Sequence, residues 1–383
     1  MSALSRIVCL VAFLLLPTWL TAPRATASDW LRFRGPNGTG VSADEAPLPV
    51  EFGPEKNLAW QIDLPGRGSS CPLVVGDRVF VTCWSGYGMN REDPGDQKDL
   101  KRHLVCIDRK SGEVIWDKTV DPYLPEDNYG GMFAEHGYAS HTPVSDGERV
   151  YCYFGKTGAV AFDMDGNQLW LTSVGTESDP RDWGSAASPI LYKDLLIVTA
   201  SAESEAMVAL DKWTGAEVWR QEASGFSGTW GTPVLIEGVD GRTDIVIGVP
   251  YEIWGINPEN GKLRWHCKGI DSNSFCASLV ADGDMVYALD GRNGGACAVQ
   301  VGGEGDVTDT AVKWRSNQSN RILTPALVDG RLYFVGRGVA NCVDAATGDR
   351  VYQTRLSGGS TPAASEQDGA PGGGRRRGGG GFR

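Results

Sequence analysis

Histidine is scarce in this chain of 383 residues, with His103, His136, His141 and His266 the four present. The string from Glu135 and His136 to His141 lacks a third spaced ligand, so it carries no metal or acid–base signature. No C-x-x-C or C-x-x-C-H pattern occurs, which excludes a zinc ribbon and attached c-type haem. The P-loop and the G-x-S-x-G elbow are missing as well. Positive charge is also in short supply. Lys plus Arg total 36 against 48 Asp plus Glu, for a net charge of −12. Residues 1–27 hold Arg6, Arg24 and no acid, so the remainder carries −14. That balance argues against nucleic acid and anionic lipid as partners, since both need clustered positive charge.

Long apolar runs are confined to the beginning of the chain. Arg6 precedes an apolar run over 7–16, and Ala25-Thr26-Ala27 supplies a small-x-small cleavage pattern. This predicts a signal peptide over 1–27 with cleavage before Ser28. No later run approaches the length of a spanning helix. The expected location is therefore periplasmic or secreted, with no transmembrane segment after cleavage.

What the chain has in abundance is Gly (51) and Trp (13). Trp60, Trp116, Trp170, Trp219, Trp265 and Trp314 recur at spacings of 56, 54, 49, 46 and 49 residues. Gly112, Gly166, Gly215 and Gly261 stand four residues before the middle four, in SGEVIW, DGNQLW, TGAEVW and NGKLRW. Gly348 and Tyr352 repeat the pattern in TGDRVY. Upstream of each Gly an Asx residue closes a turn: Asp108, Asp163, Asp211, Asn257 or Asp344. Each unit thus holds a tight hairpin, preceded by a strand that begins near a Pro and by an alternating strand. Four short antiparallel strands per repeat predict an all-β fold, a β-propeller of four-stranded blades. Six complete repeats are expected, at about 66–120, 137–174, 183–223, 228–269, 273–317 and 320–356. The fifth lacks the usual turn. Over 28–356 this is one propeller domain, and the stretch 58–64 reads as a fourth strand closing the last blade. Residues 357–383 are Gly/Pro/Arg-rich and expected to be a disordered tail, with Arg375–Arg377 as a solubilising run and 357 as a possible truncation point.

These units resemble the pyrroloquinoline-quinone (PQQ)-type repeats of quinoprotein dehydrogenases and of the outer-membrane assembly factor BamB. The opening DWLRFRGPNGTG (29–40), with EHGYASHTP and WGSAASPI, resembles exported bacterial PQQ-binding-like β-propeller repeat proteins. The resemblance covers about 29–356 and implies a ring of eight blades. For quinoprotein dehydrogenases it implies an adjacent Cys-Cys pair and carboxylates on Ca²⁺ with an Asp base; neither set is placed on this chain. No cofactor is therefore expected, PQQ with Ca being the alternative.

The repeated Trp residues read as blade-to-blade packing, because each recurs at one place in its unit. Tyr138, His141, Trp183, Trp230, Asn273 and Arg321 fall in the segments that lead into blades. They are the candidate ligand-binding residues of a channel mouth. Eight Cys remain after cleavage and allow 105 pairings, with Cys71 and Cys83 close enough in one unit to pair. Cys106 and Cys342 fill a slot held elsewhere by Ala161, Ala209 and Gly255, and so read as small buried groups. Two long inserts, 85–103 and 121–136, read as solvated loops or as partner-binding loops. The leading expectation is a non-enzymatic envelope scaffold that binds a protein or small ligand at its mouth. A PQQ/Ca-dependent quinoprotein dehydrogenase is the alternative, and a polysaccharide-binding or polysaccharide-active propeller is the third reading.

Overall fold

A computed structural model describes residues 28–356 except 43, 45, 46, 291–294, 319–321 and 337. The expected signal peptide and tail lie outside the described residues. Among the described residues six sheets follow one another along the chain, each built on four antiparallel strands, and the short strand Gly305–Asp306 adds a parallel fifth to the fourth sheet. Blade 1 comprises Leu73–Val75, Arg78–Ser85, Lys101–Asp108 and Val114–Val120. Blade 2 comprises Val144–Ser145, Arg149–Tyr153, Ala159–Asp163 and Gln168–Thr172. Blade 3 comprises Ile190–Tyr192, Leu195–Ala200, Ala206–Asp211 and Glu217–Glu222. Blade 4 comprises Val234–Glu237, Thr243–Val249, Glu252–Ile256 and Leu263–Lys268. Blade 5 comprises Val280–Asp282, Met285–Leu289, Ala296–Gln300 and Val312–Ser316. Blade 6 comprises Ala326–Val328, Arg331–Gly336, Val339–Asp344 and Arg350–Arg355. This is the β-propeller that the repeats predict.

The middle strands are apolar on both faces because each sheet is sandwiched between neighbours. Leu195–Ala200 and Ala206–Asp211, for example, are buried almost throughout. Fourth strands face outward and are mostly exposed. Each Asx turn holds its Gly at positive φ, between 72° and 80°. A side chain at Gly215 would lie 2.7 Å from the Trp170 ring, so glycine is required there twice over.

Two contacts repeat from blade to blade. On the outer side, each fourth-strand Trp lies on the turn Gly of the next blade. Its indole N–H donates to the carbonyl just past the Asx residue. Trp60 donates to Arg109 at 2.9 Å, Trp116 to Met164 at 3.1 Å and Trp170 to Lys212 at 3.1 Å. Trp219 donates to Pro258 at 3.0 Å and Trp314 to Ala345 at 2.8 Å. Trp265 departs from the series. Its N–H donates to Asp244 Oδ2 of its own blade at 2.7 Å. The reason lies in blade 5, where 301–311 replaces the Asx-Gly turn. That insert carries the short helix Thr308–Ala311, and its Gly305–Asp306 pairs in parallel with Trp265 and His266. Directly across the sheet from each Trp stands a small residue: Cys106, Ala161, Ala209, Gly255 or Ala298. Cys342 faces Tyr352 in the same way. None of the eight described cysteines forms a disulfide, Cys71 and Cys83 included. Burial pushes the Cys83, Cys106 and Cys297 thiols up to about 11 and Cys267 up to about 12. They are packing residues and not nucleophiles.

On the inner side, a chain of hydroxyls links the starts of the first strands. In blades 1 to 5 the residue two before the first strand donates its backbone N–H to the equivalent side chain of the next blade. Cys71 donates to Thr142 Oγ1 at 2.9 Å, Thr142 to Ser188 Oγ at 3.0 Å and Ser188 to Thr232 Oγ1 at 2.9 Å. Thr232 then donates to Ser278 Oγ, and Ser278 to Thr324 Oγ1, both at 2.9 Å.

The N-terminal segment 29–40 reaches across these inner strands. Trp30 exchanges backbone hydrogen bonds with Val74, and the Leu31 carbonyl accepts from Ser145. Arg32 donates to the Pro233 carbonyl at 3.1 Å and Arg34 to that of Pro325 at 2.5 Å. The segment thereby touches blades 1, 2, 4 and 6. Residues 58–64 pair with no strand among the described residues; they lie along blade 1, where Trp60 occupies the Trp position on Gly112. The outer strand of blade 6 stays bare, and Tyr352 is 46% exposed.

Thr232→Val keeps side-chain shape but leaves the buried Ser188 N–H unpaired. Urea unfolding is expected to show a loss of about 1–3 kcal/mol. An unchanged midpoint would show that the hydroxyl chain does not stabilise the ring.

Candidate functional site

The mouth is the side of the ring from which the first strands descend. Both inserts lie here, since each leaves or follows a strand that ends at this side. They are not merely solvated. Tyr87, Leu100, Tyr129, Phe133, Tyr138 and Ala139 form a common core with Trp84. Phe133 and Tyr138 meet at 4.8 Å between ring centroids, Tyr87 and Tyr138 at 5.8 Å. Gly137, at φ +66°, lets the chain pass against the Trp84 ring. The result is one packed cap over blades 1 and 2.

Beside the cap lies a cavity of about 180 Å³. Met132 and His136 of the cap form one wall. Trp183, Ala186, Trp230, Ser274, Cys276, Asp290 and Ile322 form the rest. The Trp183 and Trp230 rings are 5.1 Å apart and tilted by 42°. The Trp230 N–H donates to the Gly184 carbonyl at 2.7 Å. Burial lowers the His136 pKa, so the ring is neutral near pH 7. Its Nε2 donates to the Trp183 carbonyl at 2.7 Å, which ties cap to mouth. One oxygen of Asp290 accepts the backbone N–H groups of Cys276 and Ala277.

Of the six residues read from the sequence, Trp183 and Trp230 line this cavity. Asn273 lines a shallower depression alongside it. Tyr138 and His141 line a separate, smaller cavity of about 20 Å³ instead. The cap encloses Tyr138, whose hydroxyl donates to the Asp127 carbonyl at 2.6 Å. His141 lies beneath, with Nε2 against Ser185 Oγ at 3.1 Å, and burial drives its pKa down to about 3. Arg321 lies outside the described residues. The wall residues that the sequence reading missed do carry a signal. Ala186, Cys276 and Ile322, like the expected Trp230, each stand two residues before a hydroxyl of the inner chain. Asp290 follows a second strand and has no counterpart in the repeat.

Under the cap, buried charges meet across three blades. Arg102 and Glu126 form an ion pair with both side chains 3% exposed. Lys156 pairs with Asp127 at 2.8 Å and donates to Ser178 Oγ at 2.8 Å. Arg102 also donates to the Phe154 carbonyl at 2.6 Å. Glu203 differs from the other acids. It is 3% exposed, accepts from Ser185 and pairs with no cation among the described residues. Burial raises its pKa, and the proximity of Asp127 adds to the rise.

A buried carboxyl with a raised pKa favours folding below its unfolded pKa, near 4.5. That contribution is lost as pH climbs toward the folded pKa. Glu203→Gln keeps the shape and removes the titration. Its unfolding free energy is therefore expected to fall less than that of the parent as pH rises above about 4.5. Parallel pH curves for the two proteins would contradict a buried, uncompensated Glu203.

Residues 57–224 match the family described as "Outer membrane protein assembly factor BamB". A protein of that name from Alkalilimnicola ehrlichii is 30% identical over 232 residues, which covers 59% of this chain and 50% of that one. A polyvinylalcohol dehydrogenase from a Pseudomonas species is 23% identical over 325 residues, with coverage of 61% and 50%. The chain thus spans about half the length of these curated relatives. Among solved structures, BamB from Moraxella catarrhalis superposes with a TM-score of 0.49 at 16% identity, covering 76% of this chain and 87% of that one. A quinohemoprotein alcohol dehydrogenase from Pseudomonas putida gives 0.49 at 12% identity, covering 85% and 72%. By its own six blades the chain is a β-propeller, and over residues 57–224 its sequence is similar to the repeats of that family.

Proposed function

We propose that this chain is an exported, non-enzymatic propeller that binds an envelope protein through its mouth. The observation that carries this reading is the cap. Two inserts outside the repeat pack on a shared aromatic core, and Met132 and His136 from that cap wall an apolar cavity. Function collects on ordered loops held by a rigid scaffold, and apolar cavities with few polar groups are the usual anchors for a partner. The BamB relative supports a role in protein assembly at the envelope. No helix among the described residues is long and apolar enough to cross a membrane.

The polyvinylalcohol dehydrogenase relatives favour a second reading, in which the mouth holds PQQ and calcium. The donor set fits that group poorly. Calcium takes about six to eight oxygen ligands. The cavity wall offers one carboxylate, Asp290, and one of its oxygens is already engaged by two backbone N–H groups. Among the described residues, no three His, Cys, Asp or Glu side chains converge as metal ligands. Cys276 is the single cysteine on the wall.

A photoreactive residue in place of Met132 is expected to cross-link a discrete envelope protein in living cells. The same probe at Glu259, on an outer turn, is expected to give none. Trp230→Ala is expected to reduce the Met132-site yield by about tenfold, the loss of one buried aromatic anchor. Dye reduction by the purified chain after addition of PQQ and Ca²⁺, with no cross-link from position 132, would overturn the scaffold reading in favour of the dehydrogenase.

A further inference from the structure

Beside the mouth cavity, and sharing Trp183 and Ser274 with it, lies a second depression of about 490 Å³. Its size falls in the range of about 300–1,000 Å³ usual for small-molecule sites. It is lined by Trp183 and Tyr251, by Arg181 and Asp271, and by Asn273 with its serine neighbours. We propose that this depression is a binding site for a neutral saccharide, one or more pyranose rings seated against Trp183 and Tyr251. The proposal goes beyond the partner reading and does not depend on it.

The lining selects the chemistry. A pyranose carries an apolar C–H face and a rim of hydroxyls. The C–H face suits the negative π-face of Trp or Tyr. The hydroxyls suit planar polar groups that both donate and accept, as Asn273 does, or accept, as Asp271 does. A purely apolar ligand would strip water from these polar groups and return no hydrogen bonds. One cation and one anion line the site, so neither charge sign is favoured and the ligand is neutral.

The site is also held in shape before any ligand arrives. The buried carboxylate of Asp179 accepts the backbone N–H groups of Arg181 at 3.0 Å and Trp183 at 3.2 Å, which fixes the turn presenting both side chains. Arg181 donates to the Asn273 carbonyl at 3.1 Å, and its guanidinium lies 5.9 Å from the Trp230 ring centroid. Tyr251 sits in the left-handed region at φ +68° and is 52% exposed. An aromatic residue rarely adopts that conformation at a solvent-exposed tip. Two backbone bonds keep it there: its N–H donates to Ser272 at 3.1 Å, and its carbonyl accepts from Gly269 at 2.7 Å.

The test titrates the purified full chain with maltotriose, cellotriose and chitotriose, read by tryptophan emission and by calorimetry. At least one is expected to saturate with a dissociation constant of about 1 mM or tighter. Trp183→Ala and Tyr251→Ala should each weaken it about tenfold, while Trp213→Ala, on an outer turn, leaves it unchanged. Sorbitol, a polyol without a ring, should not compete. Should Trp183→Ala fail to fold, Tyr251→Ala decides alone, because its ring is half exposed. No saturation by any of the three sugars up to about 50 mM would overturn the proposal, as would binding that survives the Tyr251 change. Neither outcome bears on the cross-link from position 132, so the partner reading stands or falls separately.

Discussion

The rest of the structure depends on one backbone hydrogen bond, repeated. At the start of each first strand an N–H must turn toward the neighbouring blade and away from its own ladder. A buried N–H without an acceptor costs as much as a lost hydrogen bond. Thr142, Ser188, Thr232, Ser278 and Thr324 supply that acceptor in turn. Pro follows the first three and Thr324, so the chain leaves each hydroxyl in an extended conformation with its direction set. The blades are thereby keyed at the inner edge by hydroxyls and at the outer edge by indoles. Neighbouring blades keyed at both edges have little freedom to tilt against one another. Side chains two residues from the inner keys are consequently fixed in place, and four of them, Ala186, Trp230, Cys276 and Ile322, line the mouth cavity.

Most of the fold was legible because it repeats. The turn Gly residues, the Asx caps and the small residue across from each Trp all express one local geometry five or six times over. Trp265 shows where that reading fails. Nothing within NGKLRW distinguishes it from TGAEVW, yet its indole turns back to Asp244. The cause is an insert some forty residues later in the chain, which removes the acceptor in the next blade. Local pattern fixes what a residue offers, and the neighbour decides what it meets.

The mouth was legible only in part, for the same reason. Trp183 and Trp230 stand at repeat positions and reach the cavity. Tyr138 and His141 stand at comparable positions, but the cap is not part of the repeat and covers them. His136 and Met132 come from the cap itself, where no period exists to flag them. Asp290 accepts from the backbone of blade 5, outside the repeated geometry. Met132, His136 and Asp290 reach the cavity where the repeat is interrupted. Scaffold positions are constrained by their neighbours, whereas inserts are free to acquire chemistry.

The hydroxyl chain holds the mouth in shape. Native-state amide hydrogen exchange tests it most directly. The amides of Cys71, Thr142, Ser188, Thr232 and Ser278 precede their strands and would exchange quickly if they faced water. The account predicts that they exchange as slowly as Phe80 and Ile197 in the buried second strands of blades 1 and 3. Exchange as fast as that of exposed loop amides such as Glu92 would contradict it.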